Sequence, residues 1–244
     1  MIEAIIFDFG QTLVDEAEGF RQAEKEVEKL IFSSLGLDSP EEFLKVYRDL
    51  RREFRDRYES SRVSLWQAVF EHYGKPIAMS TLREWEDAYW ATVKGKARPF
   101  PEAEPVLRDL ACRYRLGIVT NTQAQEGGGK HRVLEFPGLK EYFQVTIVAG
   151  ESGIPAKPNP APFVNCLKAL GVDASHAVYV GDDWDIDICG ARNARIEPIW
   201  IQHWSVRRSW QPGDGSVRII TSLWPLLGTG LIGASRSRGH RPWG

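Results

Sequence analysis

Reactive side chains occur in this sequence at the points where short apolar runs end. The clearest case is Asp8, which directly follows the run Ala4–Phe7 and precedes the turn Phe9–Thr12. An unbroken run of β-branched and aromatic residues is typical of a strand buried on both faces of a parallel sheet. Open α/β sheets bind their ligands at the carboxyl ends of such strands. Asp8 is therefore a candidate nucleophile or metal ligand, although a strand-ending aspartate can equally cap a turn.

Three further segments place polar side chains in comparable positions. Thr120 ends the apolar run Leu116–Val119, and Asp182 ends the apolar run Ala177–Gly181. Lys157 stands in a turn bracketed by prolines, just before a predicted helix. Because the carboxyl ends of parallel strands lie along one edge of a sheet, we expect these groups to converge with the candidate nucleophile.

The acidic residues need a counter-charge if they converge. Two carboxylates about 4 Å apart repel by roughly 4 kcal/mol at an effective dielectric constant near 20. A cluster of oxygen ligands without histidine or cysteine favours Mg²⁺. A solvated acidic turn, the alternative, does not explain why an acid directly ends an apolar strand. The acidic cluster consists of Asp182, Asp183, Asp185 and Asp187.

Strands that alternate with helices would position these groups. Such alternation predicts a parallel sheet with helices on both faces, a three-layer Rossmann-like α/β fold. The predicted helices of this part are Glu102–Tyr114 and Ala161–Leu170. The predicted strands are Ala4–Phe7, Leu116–Asn121, Gln144–Ala149, Ala177–Asp182 and Pro198–Gln202.

The segment from residue 15 to 97 has a different character, since it contains helical periodicity and no strand pattern. We therefore predict an α/β core formed by residues 1–14 and 98–228, with an inserted all-helical module over residues 15–97. A flexible loop is predicted at Gly127–Gly129, and a disordered tail over residues 229–244, which are rich in Gly, Ser and Arg. The helices predicted in the insert are Phe20–Ile31, one beginning at Pro40, Ser64–Tyr73 and Ser80–Val93.

Net charge, hydropathy and cysteine usage limit which binding partners and which cellular compartment we expect for this protein. A formal net charge of −2 gives no reason to expect nucleic acid or an anionic membrane as a partner. The sequence shows neither a signal peptide nor an apolar run long enough to span a bilayer. Three cysteines without metal-ligand spacing indicate a reducing cytoplasm. Nothing in the sequence indicates an oligomeric state.

Four short motifs occur in order along the chain: Phe7–Asp15, Ile118–Asn121, Lys157–Pro160 and Val180–Ala191. They resemble the motifs of the haloacid dehalogenase superfamily of hydrolases. The resemblance extends from residue 1 to about residue 227, and the helical insert resembles the C1-type cap of that family, which closes over the site and selects the substrate. Each motif alone is weak, but the four in order are specific.

The resemblance implies a role for each matching residue. Asp8 would be the nucleophile that forms an aspartyl-phosphate, and Lys157 would neutralise its charge and that of the phosphoryl group. Asp187 would orient Lys157 or a metal-bound water. The phosphoryl group would be bound by Thr12, Thr120 and Asn121. Mg²⁺ would be held by Asp8, by the Gly10 carbonyl, by Asp182 and by Asp183.

One position departs from the family pattern. Phosphatases of the family carry a second aspartate two residues after the nucleophile, which protonates the leaving group and later activates water. Here that position is Gly10, and Gln11 follows where glycine is usual. The missing acid would contribute about 10²- to 10⁴-fold to the rate. Members that lack it include haloacid dehalogenases, phosphonoacetaldehyde hydrolases and P-type ATPases.

Several functions therefore stay open. An Mg²⁺-dependent phosphatase fits best, acting on a small phosphorylated metabolite with a good leaving group or recruiting another acid such as Asp15. A 2-haloacid dehalogenase would need no Mg²⁺, would lack an acid at the position of Asp182 and would have tyrosine at position 10. A phosphonate hydrolase needs a Schiff-base lysine, whereas the lysines of the insert lie on predicted solvated faces. A non-catalytic binding or regulatory protein would not need Asp8, Lys157 and Asp182 together.

Overall fold

The computed structural model describes residues 1–57, 59, 61–121, 136–206 and 215–228. The predicted flexible loop Gly127–Gly129 and the predicted disordered tail 229–244 lie outside the described residues.

The described part of the chain contains eight strands and eight α-helices. The strands are β1 Ala4–Phe7, β2 Val14–Asp15, β3 Arg98–Pro99, β4 Arg115–Asn121, β5 Val145–Ala149, β6 Ala177–Gly181, β7 Glu197–Ile201 and β8 Arg218–Ile220. The helices are α1 Ala17–Leu35, α2 Pro40–Asp56, α3 Arg62–His72, α4 Met79–Lys96, α5 Ala103–Ala111, α6 Pro137–Lys140, α7 Ala161–Leu170 and α8 Cys189–Asn193. Shorter turns of helix are Ala174–His176, Trp184–Ile188 and Trp224–Leu227, the second of them a π-helical turn.

Six of the strands form one sheet in the order β5-β4-β1-β6-β7-β8. Every pairing in it is parallel. The three-layer Rossmann-like α/β prediction is thereby confirmed, and the five predicted strands begin and end within a residue or so of the observed ones. The sixth strand, β8, was not predicted because only three residues of it pair. The short strands β2 and β3 pair with each other and were also missed.

Alternate residues of the central strands pack against different helices, because successive side chains of a strand point to opposite faces. Ile6, Val119 and Tyr179 belong to one buried cluster with Phe163 of α7 and Ala191 of α8. The intervening residues of the same strands, Ile5, Ile118 and Val178, are also buried. Helices therefore cover both faces, and this explains why the strands are apolar throughout.

Contacts divide the described residues into two units: residues 1–14 with those from 99 onward, and those from 15 to 98. The predicted boundary at residue 15 falls inside β2. All regular structure described between residues 16 and 97 is helical. None of the described helices is long and apolar enough to cross a bilayer.

A buried carboxylate joins the four helices of the insert. Glu24 of α1 accepts hydrogen bonds from the hydroxyls of Tyr47 on α2 and Tyr89 on α4, both at 3.1 Å. Arg51 of α2 and Arg62 at the start of α3 form ion pairs with the same carboxylate at 3.0 and 3.4 Å. Every helix of the insert thus contributes to one internal polar network.

Candidate active site

The carboxyl ends of three neighbouring strands bring the predicted site residues together. In the sheet β1 lies between β4 and β6, with Phe7 paired to Ile118 on one side and to Val180 on the other. The residues that follow these pairs therefore meet at one edge. Asp8, Thr120 and Asp182 are all buried there, with 8%, 4% and 2% of their surface exposed.

Lys157 reaches the same point from the turn before α7. Its Nζ lies 2.7 Å from Asp8 Oδ1 and 2.6 Å from Asp187 Oδ1. It also lies 3.0 Å from both the carbonyl oxygen of Val119 and the hydroxyl of Tyr179. The ammonium is thus enclosed by four oxygen atoms, and two of them belong to carboxylates. The structure brings Lys157 to Asp8 as the sequence led us to expect.

Opposing effects set the pKa of Lys157. Burial disfavours the charged form, but the nearby carboxylates of Asp187 and Asp8 outweigh it and raise the pKa above its ordinary value. Burial and the charge of Asp187 also raise the pKa of Tyr179 well above the ordinary value. Lys157 is therefore a permanent cation at neutral pH, and Tyr179 keeps its proton.

Asp187 is held by the backbone that follows β6. Its Oδ2 accepts hydrogen bonds from the N–H groups of Asp182 and Asp183 at 3.2 and 3.0 Å. Asp183 in turn accepts bonds from the N–H groups of Asp185 and Ile186 through Oδ1, and so caps the π-helical turn. This turn points Asp187 back toward the sheet.

Three of the acids come close enough to share a cation. One carboxylate oxygen from each of Asp8, Asp182 and Asp187 lies within 4.8 Å of the others, and all three residues are buried. The donors are exclusively carboxylate oxygens, which is the ligand type of Mg²⁺. The three carboxylates therefore fit the predicted Mg²⁺. Asp183 is not among the three, and its role as a ligand stays a prediction.

Asn121, predicted to contact the phosphoryl group, also supports the lysine turn. Its Oδ1 accepts a bond from the Lys157 N–H at 2.8 Å, and its Nδ2 donates to the Lys157 carbonyl at 3.3 Å. The side chain thus fixes the backbone of Lys157 against the end of β4. Binding of a phosphoryl group by Thr120 and Asn121 stays a prediction.

The loop after Asp8 is a tight turn. The carbonyl of Phe9 accepts bonds from the N–H groups of Leu13 and Val14, and the Gln11 N–H donates to the Val14 carbonyl. Gln11 has a φ of +61°, a left-handed conformation that favours glycine. Among the described residues, Gln11 Oε1 and Thr12 Oγ1 have no hydrogen-bond partner although both atoms are buried.

Two backbone carbonyls of this loop are held from outside it. His203 Nε2 lies 3.1 Å from the Thr12 carbonyl oxygen, and the Phe100 N–H donates to the Leu13 carbonyl at 3.0 Å. The side-chain rings of Phe100 and His203 stack with their centroids 3.5 Å apart. Because a carbonyl only accepts, His203 Nε2 must be the donor in this hydrogen bond. Asp15, the alternative acid, belongs to the insert, and its Oδ1 accepts a bond from the Ala17 N–H.

The sequence reasoning missed Tyr179, the Val119 carbonyl and His203. Tyr179 lies within the predicted apolar strand Ala177–Asp182, and no motif singled it out. A buried tyrosine hydroxyl requires a hydrogen-bond partner, and this requirement was the available indication. His203 follows β7 without any motif around it, and nothing in the sequence indicated its contact with the Thr12 carbonyl.

Comparison with known proteins supports the family resemblance that the four motifs indicated. A glyceraldehyde 3-phosphate phosphatase of Pyrococcus abyssi is 30% identical over 207 residues, covering 83% of this chain and 82% of that protein. The crystal structure of a phosphatase of the same superfamily from Thermococcus onnurineus superposes with a TM-score of 0.66 at 25% identity, covering 97% of this chain and all of that one. A 2-haloacid dehalogenase from Pseudomonas syringae gives 0.61 at 26% identity, covering 93% and 96%.

The family assignment follows from the sequence itself. Residues 2–195 match the family described as haloacid dehalogenase-like hydrolase, which is most of the chain and includes all four motifs. The strand order and the buried acids at the end of β1 and β6 agree with that match. This chain belongs to the haloacid dehalogenase-like hydrolases.

Proposed function

We propose that this protein is an Mg²⁺-dependent phosphatase of a small phosphorylated metabolite, with Asp8 as the nucleophile. The observation that carries the proposal is the pairing of the buried Asp8 carboxylate with the Lys157 ammonium at 2.7 Å, beside the buried acids Asp182 and Asp187. Such pairing keeps Asp8 ionised, as a nucleophile must be.

In the proposed first step, an Asp8 oxygen forms a bond to phosphorus and the bond from phosphorus to the leaving oxygen breaks. The leaving group takes the electron pair and then a proton from solvent water. Lys157 offsets negative charge on Asp8 and on the phosphoryl oxygens, while Thr120 and Asn121 orient the phosphoryl group. Water then forms a bond to phosphorus and the bond from phosphorus to Asp8 breaks, which releases phosphate and a proton and regenerates the Asp8 carboxylate. Mg²⁺, held by Asp8, Asp182 and the Gly10 carbonyl, would supply further positive charge at those oxygens.

Overall similarity does not separate a phosphatase from a dehalogenase, since solved relatives of both kinds are 25% and 26% identical. The site residues favour the phosphatase. Asp182 adds a buried carboxylate next to Asp8, and position 10 is glycine instead of the tyrosine expected of a dehalogenase. A dehalogenase has no use for the extra negative charge, whereas a metal-dependent phosphatase does.

The name of the Pyrococcus relative supports the substrate class, a small phosphorylated metabolite. The helical insert is proposed to act as the cap that selects it. A reducing cytoplasm is the proposed compartment, and Cys112, Cys166 and Cys189, which all lie in the described part of the chain, form no disulfide bond.

A panel of substrates tests the proposal. Purified protein is given p-nitrophenyl phosphate, an acyl phosphate, alkyl sugar phosphates and 2-haloacids, each with Mg²⁺ and with EDTA, and Asp8→Asn serves as the matched inactive control. We expect phosphate release that requires both Mg²⁺ and Asp8. Halide release that persists in EDTA would identify a dehalogenase instead. Absence of all turnover, together with a rise in melting temperature on adding Mg²⁺ and orthovanadate, would indicate a binding protein.

A further inference from the structure

Tyr179 completes the set of oxygen atoms around the catalytic lysine. An ammonium has three N–H donors, yet four oxygens lie within 3.0 Å of Lys157 Nζ. The Tyr179 hydroxyl is one of the four, and it alone among them carries a proton of its own. It also lies 2.9 Å from Asp187 Oδ1 and 3.1 Å from the Val119 carbonyl oxygen. The hydroxyl can therefore accept from Lys157 while it donates to one of these oxygens.

The ring of Tyr179 has little freedom to move. The residue is fully buried in the middle of β6, and the ring of Phe163 packs edge-on against it with centroids 4.9 Å apart. The hydroxyl is thus held at a fixed point against the ammonium by the sheet and by α7. The contact between the Tyr179 hydroxyl and Lys157 Nζ therefore does not depend on the chance position of a flexible side chain.

Two carboxylates compete for the ammonium. Nζ is 2.6 Å from Asp187 Oδ1 and 2.7 Å from Asp8 Oδ1. In the proposed reaction Asp8 loses its charge when it bonds to phosphorus, while Asp187 keeps its own. Attraction to Asp187 would then draw the ammonium away from the phosphoryl group just when its charge is needed there.

We infer that Tyr179 is a positioning residue for Lys157: its hydroxyl satisfies Asp187 or the Val119 carbonyl and fixes the ammonium toward Asp8. A hydrogen bond donated by the Tyr179 hydroxyl to Asp187 reduces the hold of that carboxylate on Lys157. A bond accepted from Lys157 fixes Nζ from a third direction. The effect on rate rests on the proposed function, whereas the ordering of the ammonium does not.

Tyr179→Phe removes only the hydroxyl, and two measurements on the full chain test its role. With p-nitrophenyl phosphate and Mg²⁺ we expect kcat to fall by about 10- to 100-fold, as is usual when a residue supporting an active-site group is removed, with KM changed by less than about threefold. With ¹⁵N-labelled lysine and no metal, wild type should give a slowly exchanging Lys157 ammonium resonance, identified by its loss in Lys157→Met. Tyr179→Phe should broaden or abolish it.

Tyr47→Phe is the matched control, because it removes another buried hydroxyl that binds a carboxylate, Glu24 in the insert. It should lower the melting temperature while leaving kcat and the Lys157 resonance unchanged. The inference is overturned if Tyr179→Phe retains the kcat of wild type, if it leaves the resonance unchanged, or if wild type shows no protected resonance. If wild type hydrolyses no phosphate ester but the resonance responds as expected, the proposed function fails and the ordering of Lys157 by Tyr179 stands.

Discussion

Gly181 lies so close to Asp187 that a Cβ atom on the glycine would be 2.5 Å from the Asp187 Cβ and 2.7 Å from its Oδ2. Alanine at this position must therefore displace Asp187, which binds Lys157 and the backbone after β6. We expect Gly181→Ala to lower kcat by about 10²-fold, the usual cost of a misplacement near 1 Å, and to destabilise the fold by about 1–3 kcal/mol. Turnover with Mg²⁺ and thermal unfolding measure the two effects.

Gly95→Ala is the control for Gly181→Ala. Gly95 lies in α4, and a Cβ atom there would meet nothing within 4 Å. The same substitution should raise stability by about 0.5–1 kcal/mol, since alanine favours a helix over glycine, and leave kcat unchanged. Full activity in Gly181→Ala would show that Asp187 can move without consequence.

The Mg²⁺ assignment predicts effects of opposite sign for Asp182→Asn. Without metal, removing one of three buried carboxylates within 4.8 Å relieves repulsion, so the variant should melt at a higher temperature than wild type. With Mg²⁺ the order should reverse, because the variant loses a ligand and most of the metal-dependent rise. Asp185→Asn, an exposed neighbour outside the cluster, should match wild type in both conditions. An equal Mg²⁺-dependent rise in Asp182→Asn would remove Asp182 from the metal site.

The raised pKa of Lys157 makes a prediction about stability at high pH. A cation whose folded-state pKa lies above the ordinary 10.5 stabilises the fold fully below that pH, and this contribution is lost as the pH rises through the folded-state pKa. The difference in unfolding free energy between wild type and Lys157→Met should be about 3–5 kcal/mol, level from about pH 7 to about pH 9 in metal-free buffer, and smaller above 10.5.

Denaturant unfolding at several pH values measures this difference, and the exposed Lys168→Met controls for the loss of a lysine. A difference that already declines between about pH 7 and about pH 9 would mean that the carboxylates of Asp8 and Asp187 do not overcome the effect of burial on Lys157.

The sequence predicted the sheet because its strands are buried on both faces and thus appear as apolar runs. It also predicted where Asp8, Thr120 and Asp182 meet, since a residue that ends a parallel strand has its place fixed by the sheet. Strands β2, β3 and β8 were missed because runs of two or three residues carry no periodicity.

Side-chain directions after β6 were beyond the sequence. Four acids lie there within six residues, and only the family resemblance assigned one of them, Asp187, to Lys157. The π-helical turn is what places Asp187 beside Asp8 and Asp182. The role of Tyr179 was not predicted for a related reason. Alternation places its ring in the core, but only the three-dimensional position of Lys157 gives the hydroxyl a role.

Gln11 occupies a conformation that suits glycine better. Its φ of +61° costs a non-glycine residue roughly 1 kcal/mol, and its buried Oε1 has no hydrogen-bond partner among the described residues. Gln11→Gly should therefore raise the unfolding free energy by about 1 kcal/mol, even after the entropy that glycine adds to the unfolded chain. Gln11→Ala separates the two causes, because it removes the oxygen but keeps the left-handed strain. If alanine stabilises as much as glycine, the strain that glycine relieves does no more than offset the entropy that glycine adds to the unfolded chain.

Gly10 stands where phosphatases of the family carry a general acid, and it makes the proposed chemistry depend on the leaving group. Wild type should cleave acyl and aryl phosphates far faster than alkyl sugar phosphates, because good leaving groups need little protonation. Gly10→Asp should raise turnover of alkyl esters by up to about 10²- to 10⁴-fold, and Gly10→Asn, which has the same shape without the acid, should not. Steady-state kinetics on one aryl and one alkyl ester compare the three proteins.

Equal rates on both esters in wild type would show that another residue already donates the proton. Asp15 is then the first candidate, and Asp15→Asn should abolish the alkyl-ester activity while sparing the aryl ester.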